Sequence, residues 1–234
     1  MLLYKNISVA LLCTFFVLTA LEPSSVYQIV IAQEDEDEGV DGDDDFEEEN
    51  SGDDDFEEEN SIQICCAWGE KLADGSLTYK ISGSDSAIRQ AVRTAVEEWD
   101  SKFIELELDE INKKKKGADI EVTFEDDGTE IAGQTVNKFD RYGFIDNVEM
   151  IISKNAFGTN FNTKTIEQIA KHEMGHALGL GHANFAGNLM TELVNDGSGT
   201  ISDCEIKAIN EANQWKLKGS SDFPSAPSKS YIEC

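Results

Sequence analysis

The chain has 234 residues, 40% of them hydrophobic, with a formal net charge of -28 and a pI of about 4.2. So acidic a balance excludes a nucleic-acid module, which needs a basic face to neutralise phosphates. Once the most acidic stretch is set aside, the remainder is long enough to bury one real core and too short to expect two.

In chain order the first feature is an apolar run over 7–21, preceded by Lys5 and ended by Glu22 and Pro23. A membrane span needs about 20 apolar residues, so this run predicts a secretory leader, residues 1–32. Val30 and Ala32 supply slim residues before a cut ahead of Gln33. An uncleaved anchor is the alternative. The leader implies a secreted, extracellular protein with no stable membrane span after its removal.

Residues 33–61 come next, and 34–60 hold 18 Asp or Glu with no Lys or Arg. Within them "GDDDFEEENS" stands at 42–51 and again at 52–61. One Phe per unit is too little apolar surface to offset the entropy of ordering, so the segment reads as disordered. It is a solvated spacer, or a tail that binds cations or a surface.

The domain proper is expected over 62–219. "LTYKIS" at 77–82 is a strand closed by Gly83, and 84–86 supplies capping groups for a helix. On that helix Ile88, Val92, Ala95, Val96, Trp99 and Phe103 recur at helical spacing. "FIELELDE" at 103–110 and "ADIEVTFE" at 118–125 alternate apolar and acidic residues, as half-buried strands do, and "VEMIIS" at 148–153 is a third such run. The basic run 113–116 lies between two of these strands and reads as an exposed loop. Residues 131–147 are punctuated by glycine and hold one short, irregular edge strand. A further helix opens at Thr165 with Gln168 as capping partner and is broken by Gly179 and Gly181, and a last one opens at Ser202 with Glu205 and runs towards Trp215. The tail, 220–234, has too much Ser and Pro for regular structure. Strand, helix, strands, helix, helix is the order of an α+β fold, a mixed sheet covered by helices.

Four cysteines remain after the leader: Cys65, Cys66, Cys204 and Cys234. An even number suits an oxidising compartment. Neighbours seldom bridge each other because the small ring is strained, so Cys65 and Cys66 are expected to pair with Cys204 and Cys234, in one of two ways.

All three histidines fall within "KHEMGHALGLGH", 171–182. His172 and His176 are four apart, so on a helix their imidazoles share one face and can share one ion. Glu173 points beside that ion. It is near enough to take a proton from water at the metal and too far to fill the open position. A third ligand on the same face would lie along the helix axis, so the chain must turn. Gly179 can adopt the left-handed conformation that brings His182 back. Three imidazoles with an open fourth position suit one catalytic Zn2+.

"HEMGHALGLGH" resembles the metzincin signature HExxHxxGxxH at every fixed position, and Met190, eight residues after His182, stands where a Met-turn passes beneath the metal. Within that clan the chain is most similar to the matrixins: "WGEKLADGSLTYKI" resembles their domain opening and "ISDCEIKAINEANQW" their final helix. The resemblance implies a zincin-like catalytic domain with a mixed, twisted five-stranded sheet and three main helices. It also implies an edge strand near 132–136 that pairs with an extended substrate, and an S1′ pocket walled by residues just after Met190. The second, structural zinc of that family needs further histidines, and the sequence has none. Calcium is unsupported, since "EDDG" at 125–128 and "NDG" at 195–197 are ordinary acidic turns.

The function expected is a secreted zinc endopeptidase, a monomer that acts on protein or peptide substrates. A thiolate of Cys65 or Cys66, or an acidic side chain of 33–61, is a candidate latency device. The rival reading is a non-enzymatic secreted module in which zinc only holds the fold, and Glu173 discriminates, since a scaffold has no need of it. A zinc hydrolase acting on another amide is a third reading.

Overall fold

The computed structural model describes residues 13–17, 59–112, 117–125, 131–156, 158–193 and 197–234. Most of the expected leader and acidic repeat, the basic run 113–116 and most of the two acidic turns lie outside them. Among the described residues no helix is long and apolar enough to cross a membrane.

Alternation of buried and less buried residues marks the strands of the main sheet from residue 76 onward. Its strands are β1 (Cys13–Val17), β3 (Ser76–Ile81), β4 (Glu107–Glu110), β5 (Ile120–Glu125), β6 (Gly133–Phe139) and β7 (Ile145–Ser153). The order is β1-β6-β7-β5-β3-β4. The pairs β3–β4, β3–β5 and β5–β7 are parallel, and β6 runs antiparallel to β7. Five of these strands belong to the domain, as expected, and β6 and β4 are its two outer strands. Along the free edge of β6 lies β1, antiparallel, with Cys13 opposite Asn137 and Val17 opposite Gly133. A segment expected in the leader thus forms a sixth strand. β4 starts four residues later than the alternating pattern suggested, because 100–103 is a turn: Phe103 N–H donates to Asp100 O at 3.2 Å. Leu106 and Leu108 keep the buried phase.

Parallel strands need a crossover, and α1 (Ser86–Asp100) supplies the one between β3 and β4. Asp85 Oδ1 caps it, accepting from Ala87 and Ile88 N–H, while Ile88, Val92, Val96 and Trp99 are buried on one side. Each such large apolar side chain stabilises the fold by about 1.5–3 kcal/mol. The second helix, α2 (Thr163–Ala177), begins two residues before the expected Thr165, because Asn162 Oδ1 accepts from Lys164 and Thr165 N–H. Trp99 Nε1 donates to Lys171 O at 2.9 Å and fastens α1 to α2. Lys171, itself buried on α2, reaches Glu98 Oε2 at 2.5 Å and Glu167 Oε1 at 2.9 Å, so its charge is paired twice. A two-stranded hairpin, β8 (Asn155–Ala156) with β9 (Thr159–Asn160), leads into α2.

A second, three-stranded sheet has the order β10-β2-β11, with β2 (Ser61–Ile64), β10 (Leu180–Ala183) and β11 (Tyr231–Glu233). The tail is therefore not wholly irregular: Ile232 pairs with Ile62 and is buried, and that contact overrides the Ser and Pro around it. The capping box expected for α3 (Asp203–Ala212) is present at Ser202 and Glu205. The helix stops short of Trp215 at Asn213, whose buried amide accepts from Trp68 N–H at 2.9 Å and donates to Leu178 O at 2.9 Å, and α4 (Gln214–Leu217) resumes beyond it.

The expected disulfides are corrected here. Cys204 bonds Cys234, and Cys65 and Cys66 take no part in that bridge. The register explains it. Cys234 N–H donates to Asn60 O, and five residues of extended chain from 60 to 65 carry Cys65 roughly 17 Å away. Cys204, in the first turn of α3, has its Cα 5.5 Å from that of Cys234. Closing this loop constrains the unfolded chain, so the double substitution Cys204→Ser/Cys234→Ser is expected to lower unfolding free energy by about 3 kcal/mol, read from urea denaturation midpoints.

Candidate metal centre

Helix α2 carries His172 and His176 one turn apart, both buried. Each ring is oriented by a backbone carbonyl: His172 Nδ1 lies 2.8 Å from Leu189 O, and His176 Nδ1 lies 2.9 Å from Leu180 O. A carbonyl only accepts, so both Nδ1 atoms carry the proton and both Nε2 atoms present lone pairs. Those Nε2 atoms face each other at 3.0 Å. Two lone pairs at that distance repel unless a cation stands by them. Burial holds His172 down at about 4, His176 well below the ordinary histidine value and His182 down at about 3, so all three rings are neutral at physiological pH, the form that binds metal.

Gly179 makes the return. Its φ is +105°, in the left-handed region, and the chain then runs into β10, which carries His182. The ligand atoms of His172, His176 and His182 all lie within 4.8 Å of one another, and the ring centroids are 4.7, 5.5 and 4.8 Å apart. Two nitrogens bonded tetrahedrally to zinc stand roughly 3.3 Å apart, close to the separation of the two helical rings. The donor set and its spacing fit a small divalent cation. Among the described residues it is the one such group of three or more.

Glu173 is fully buried beside these rings. Thr135 Oγ1 donates to its Oε2 at 2.7 Å, while Oε1 has no hydrogen-bond partner. Burial raises the Glu173 carboxyl to about 8, and the Thr135 bond works in the opposite direction. The carboxyl packs against the backbone of β6: a Cβ on Gly133 would stand 2.4 Å from Glu173 Oε1.

Met190 lies beneath the helix, fully buried, and a Cβ on Gly175 would stand 2.4 Å from its sulfur. Its turn is held from α3: buried Glu205 Oε1 accepts from Leu189 N–H at 3.1 Å, and Leu189 O is the carbonyl that orients His172. Glu205 thus caps a helix and steadies a ring of the metal centre at once, a role the capping pattern alone does not disclose. The contacts of Thr135 and Gly133 with Glu173 are not disclosed by sequence either, where 132–136 gives only an edge strand with polar and small residues at alternate positions. Cys65 and Cys66 adjoin the turn, both N–H groups pointing at Gly179 O at 3.0 and 3.4 Å, and Cys66 Sγ lies 3.5 Å from Asn137 Nδ2.

A mixed sheet whose outer strand covers a histidine-bearing helix, with the chain folded back through a glycine turn over a buried methionine, is a metzincin-type catalytic architecture. The family profile of the matrixins, a peptidase family, matches residues 67–212, and the chain belongs to that family. No curated protein sequence matches. Two solved structures of myroilysin are similar at 20% and 19% identity, each with a TM-score of 0.33. The first match covers 47% of this chain and 43% of that one, the second 52% of each, so the chain spans about half the length of the structures it matches.

Proposed function

We propose that this matrixin is a secreted zinc endopeptidase in which His172, His176 and His182 hold the ion and Glu173 is the general base. The observation that carries the reading is three neutral imidazoles, two buried and the third half-buried, with ligand atoms within 4.8 Å of one another, beside a buried carboxyl oxygen that has no hydrogen-bond partner. When bound, zinc supplies Lewis acidity, which acidifies water and polarises a peptide carbonyl. Glu173 takes the proton of the attacking water through Oε1 and returns it to the leaving amine. Burial raises the proton affinity of the Glu173 carboxyl, which favours uptake of the proton, and the leaving amine is the stronger base that takes it back. His172 and His176 stay in one tautomer throughout, because the Leu189 and Leu180 carbonyls hold their Nδ1 protons.

An extended peptide is the substrate the fold suits best. The outer edge of β6 already accepts a chain in antiparallel pairing, at Gly133 to Asn137, and release of the leader segment frees those backbone groups for a substrate. The enzyme acts as a monomer in the extracellular space. Calcium is no part of the proposal.

The test is a peptide library incubated with the zinc-loaded protein, freed of residues 1–32, with a chelated control. Cleavage that stops on chelation and returns with zinc is expected. Stoichiometric zinc with no peptide cut would sink the proposal and leave a metal-stabilised module.

A further inference from the structure

A strand lying over a helix ordinarily turns apolar side chains towards it. The inward positions of β6 are Gly133, Thr135 and Asn137, and all three are buried. A buried hydroxyl costs about 1–3 kcal/mol unless it is hydrogen-bonded. A valine would fill the place of Thr135 with no such liability, so the hydroxyl calls for a specific partner.

That partner is Glu173. Thr135 Oγ1 lies 2.7 Å from Glu173 Oε2 and 3.1 Å from Glu173 O, and its single proton favours the nearer, more basic oxygen. Among the described residues no other side chain hydrogen-bonds this carboxyl. Gly133, two positions earlier on the same face, leaves room for the other oxygen, since a Cβ there would stand 2.4 Å from Oε1 and 2.8 Å from Ile169 Cγ2 as well. Strand β6 therefore seats the carboxyl with one oxygen tethered and the other unencumbered. Without the tether, the Glu173 side chain has no polar contact to choose among its rotamers.

We infer that Thr135 is a positioning residue for the reaction: its hydroxyl holds Glu173 Oε2 so that Oε1 meets the attacking water. The inference rests on the endopeptidase reading and adds a residue to its machinery. A substrate paired along β6 then shares one strand with the group that orients the base, its backbone on the outer edge and Thr135 on the inner face.

The experiment compares the parent with Thr135→Val, which keeps the shape and removes the hydroxyl, and with Thr135→Ser, which restores it. In Thr135→Val, kcat is expected to fall roughly 10- to 100-fold, as for a misplaced catalytic group, with KM, zinc content and melting temperature near the parent's. Thr135→Ser should recover most of the loss. The metal-free protein gives a second readout, the infrared band of the buried carboxyl, identified by its disappearance in Glu173→Gln. It should shift in Thr135→Val and return in Thr135→Ser. Parent-like kcat in Thr135→Val, or a carboxyl band that does not move, overturns the inference alone and leaves the endopeptidase standing. A parent that cuts nothing overturns both, even if the band shifts. A Thr135→Val protein that loses kcat and melting temperature together, with no rescue by serine, makes the residue merely structural and also overturns the inference.

Discussion

Glu173→Gln is expected to lower peptide cleavage by about 10²- to 10⁴-fold, the range for removing a general acid–base group, while zinc content stays at the parent's level. Glutamine has the shape of glutamate, and its amide oxygen can still accept from Thr135 Oγ1 where Oε2 does now. The amide nitrogen then falls at Oε1, against Gly133. A nitrogen there donates and cannot take a proton from water, so the chemistry stops although the geometry survives. Zinc retention follows because the three ring nitrogens, not the carboxyl, form the donor set. Stability should hold or rise, since a neutral amide is easier to bury than a carboxyl that ionises. Steady-state cleavage of one peptide, with elemental analysis of the same sample, checks both halves. A variant that cuts at the parent's rate removes Glu173 from the mechanism, and one that loses its zinc shows that the carboxyl belongs to the binding site.

Much of this architecture was legible because it follows from short-range rules. The alternation in 118–125 and 148–153 and the helical spacing of Ile88, Val92 and Trp99 set faces as well as elements, and a mixed sheet covered by helices follows from their order, while the count of five strands in the domain came from the resemblance to the matrixins. Residues 172–182 were informative for the same reason: a four-residue interval on a helix and a glycine after it fix directions within a few ångströms. What stayed hidden depends on pairing between distant segments. Four cysteines carry no distances, so nothing local says that Cys234 lies opposite Asn60 and beside α3 while Cys65 runs off towards Gly179. The short strand at Tyr231–Glu233 exists only because β2 offers an edge. Thr135 and Glu205 look in sequence like a strand residue and a capping residue, and their work at the centre emerges only when β6 and α3 close over α2.

Gly179→Ala is the substitution expected to damage the fold and the centre together. At φ +105° an alanine meets the left-handed penalty of roughly 1–2 kcal/mol. Its Cβ would also stand 2.4 Å from the carbonyl oxygen of Cys66 and 3.4 Å from Ala212 Cβ. Backbone cannot swing aside as a flexible side chain does, and this stretch is fastened on both sides: Gly179 O accepts from Cys65 and Cys66, and Gly179 N–H donates to His176 O at 3.0 Å. Relief requires β2 and the turn to part, at an overpacking cost of about 1–3 kcal/mol, so unfolding free energy should fall by roughly 2–5 kcal/mol in all. The displacement passes directly to β10, since Leu180 pairs with Ile64 and His182 stands two residues further on. Zinc affinity should therefore drop well before the protein unfolds, because moving one ring of three by an ångström opens the donor set. Chelator competition at a denaturant concentration where the variant is still folded separates the two effects. Weakened zinc binding in the folded variant is the expected result, and parent-like affinity would mean that His182 reaches the centre without this turn.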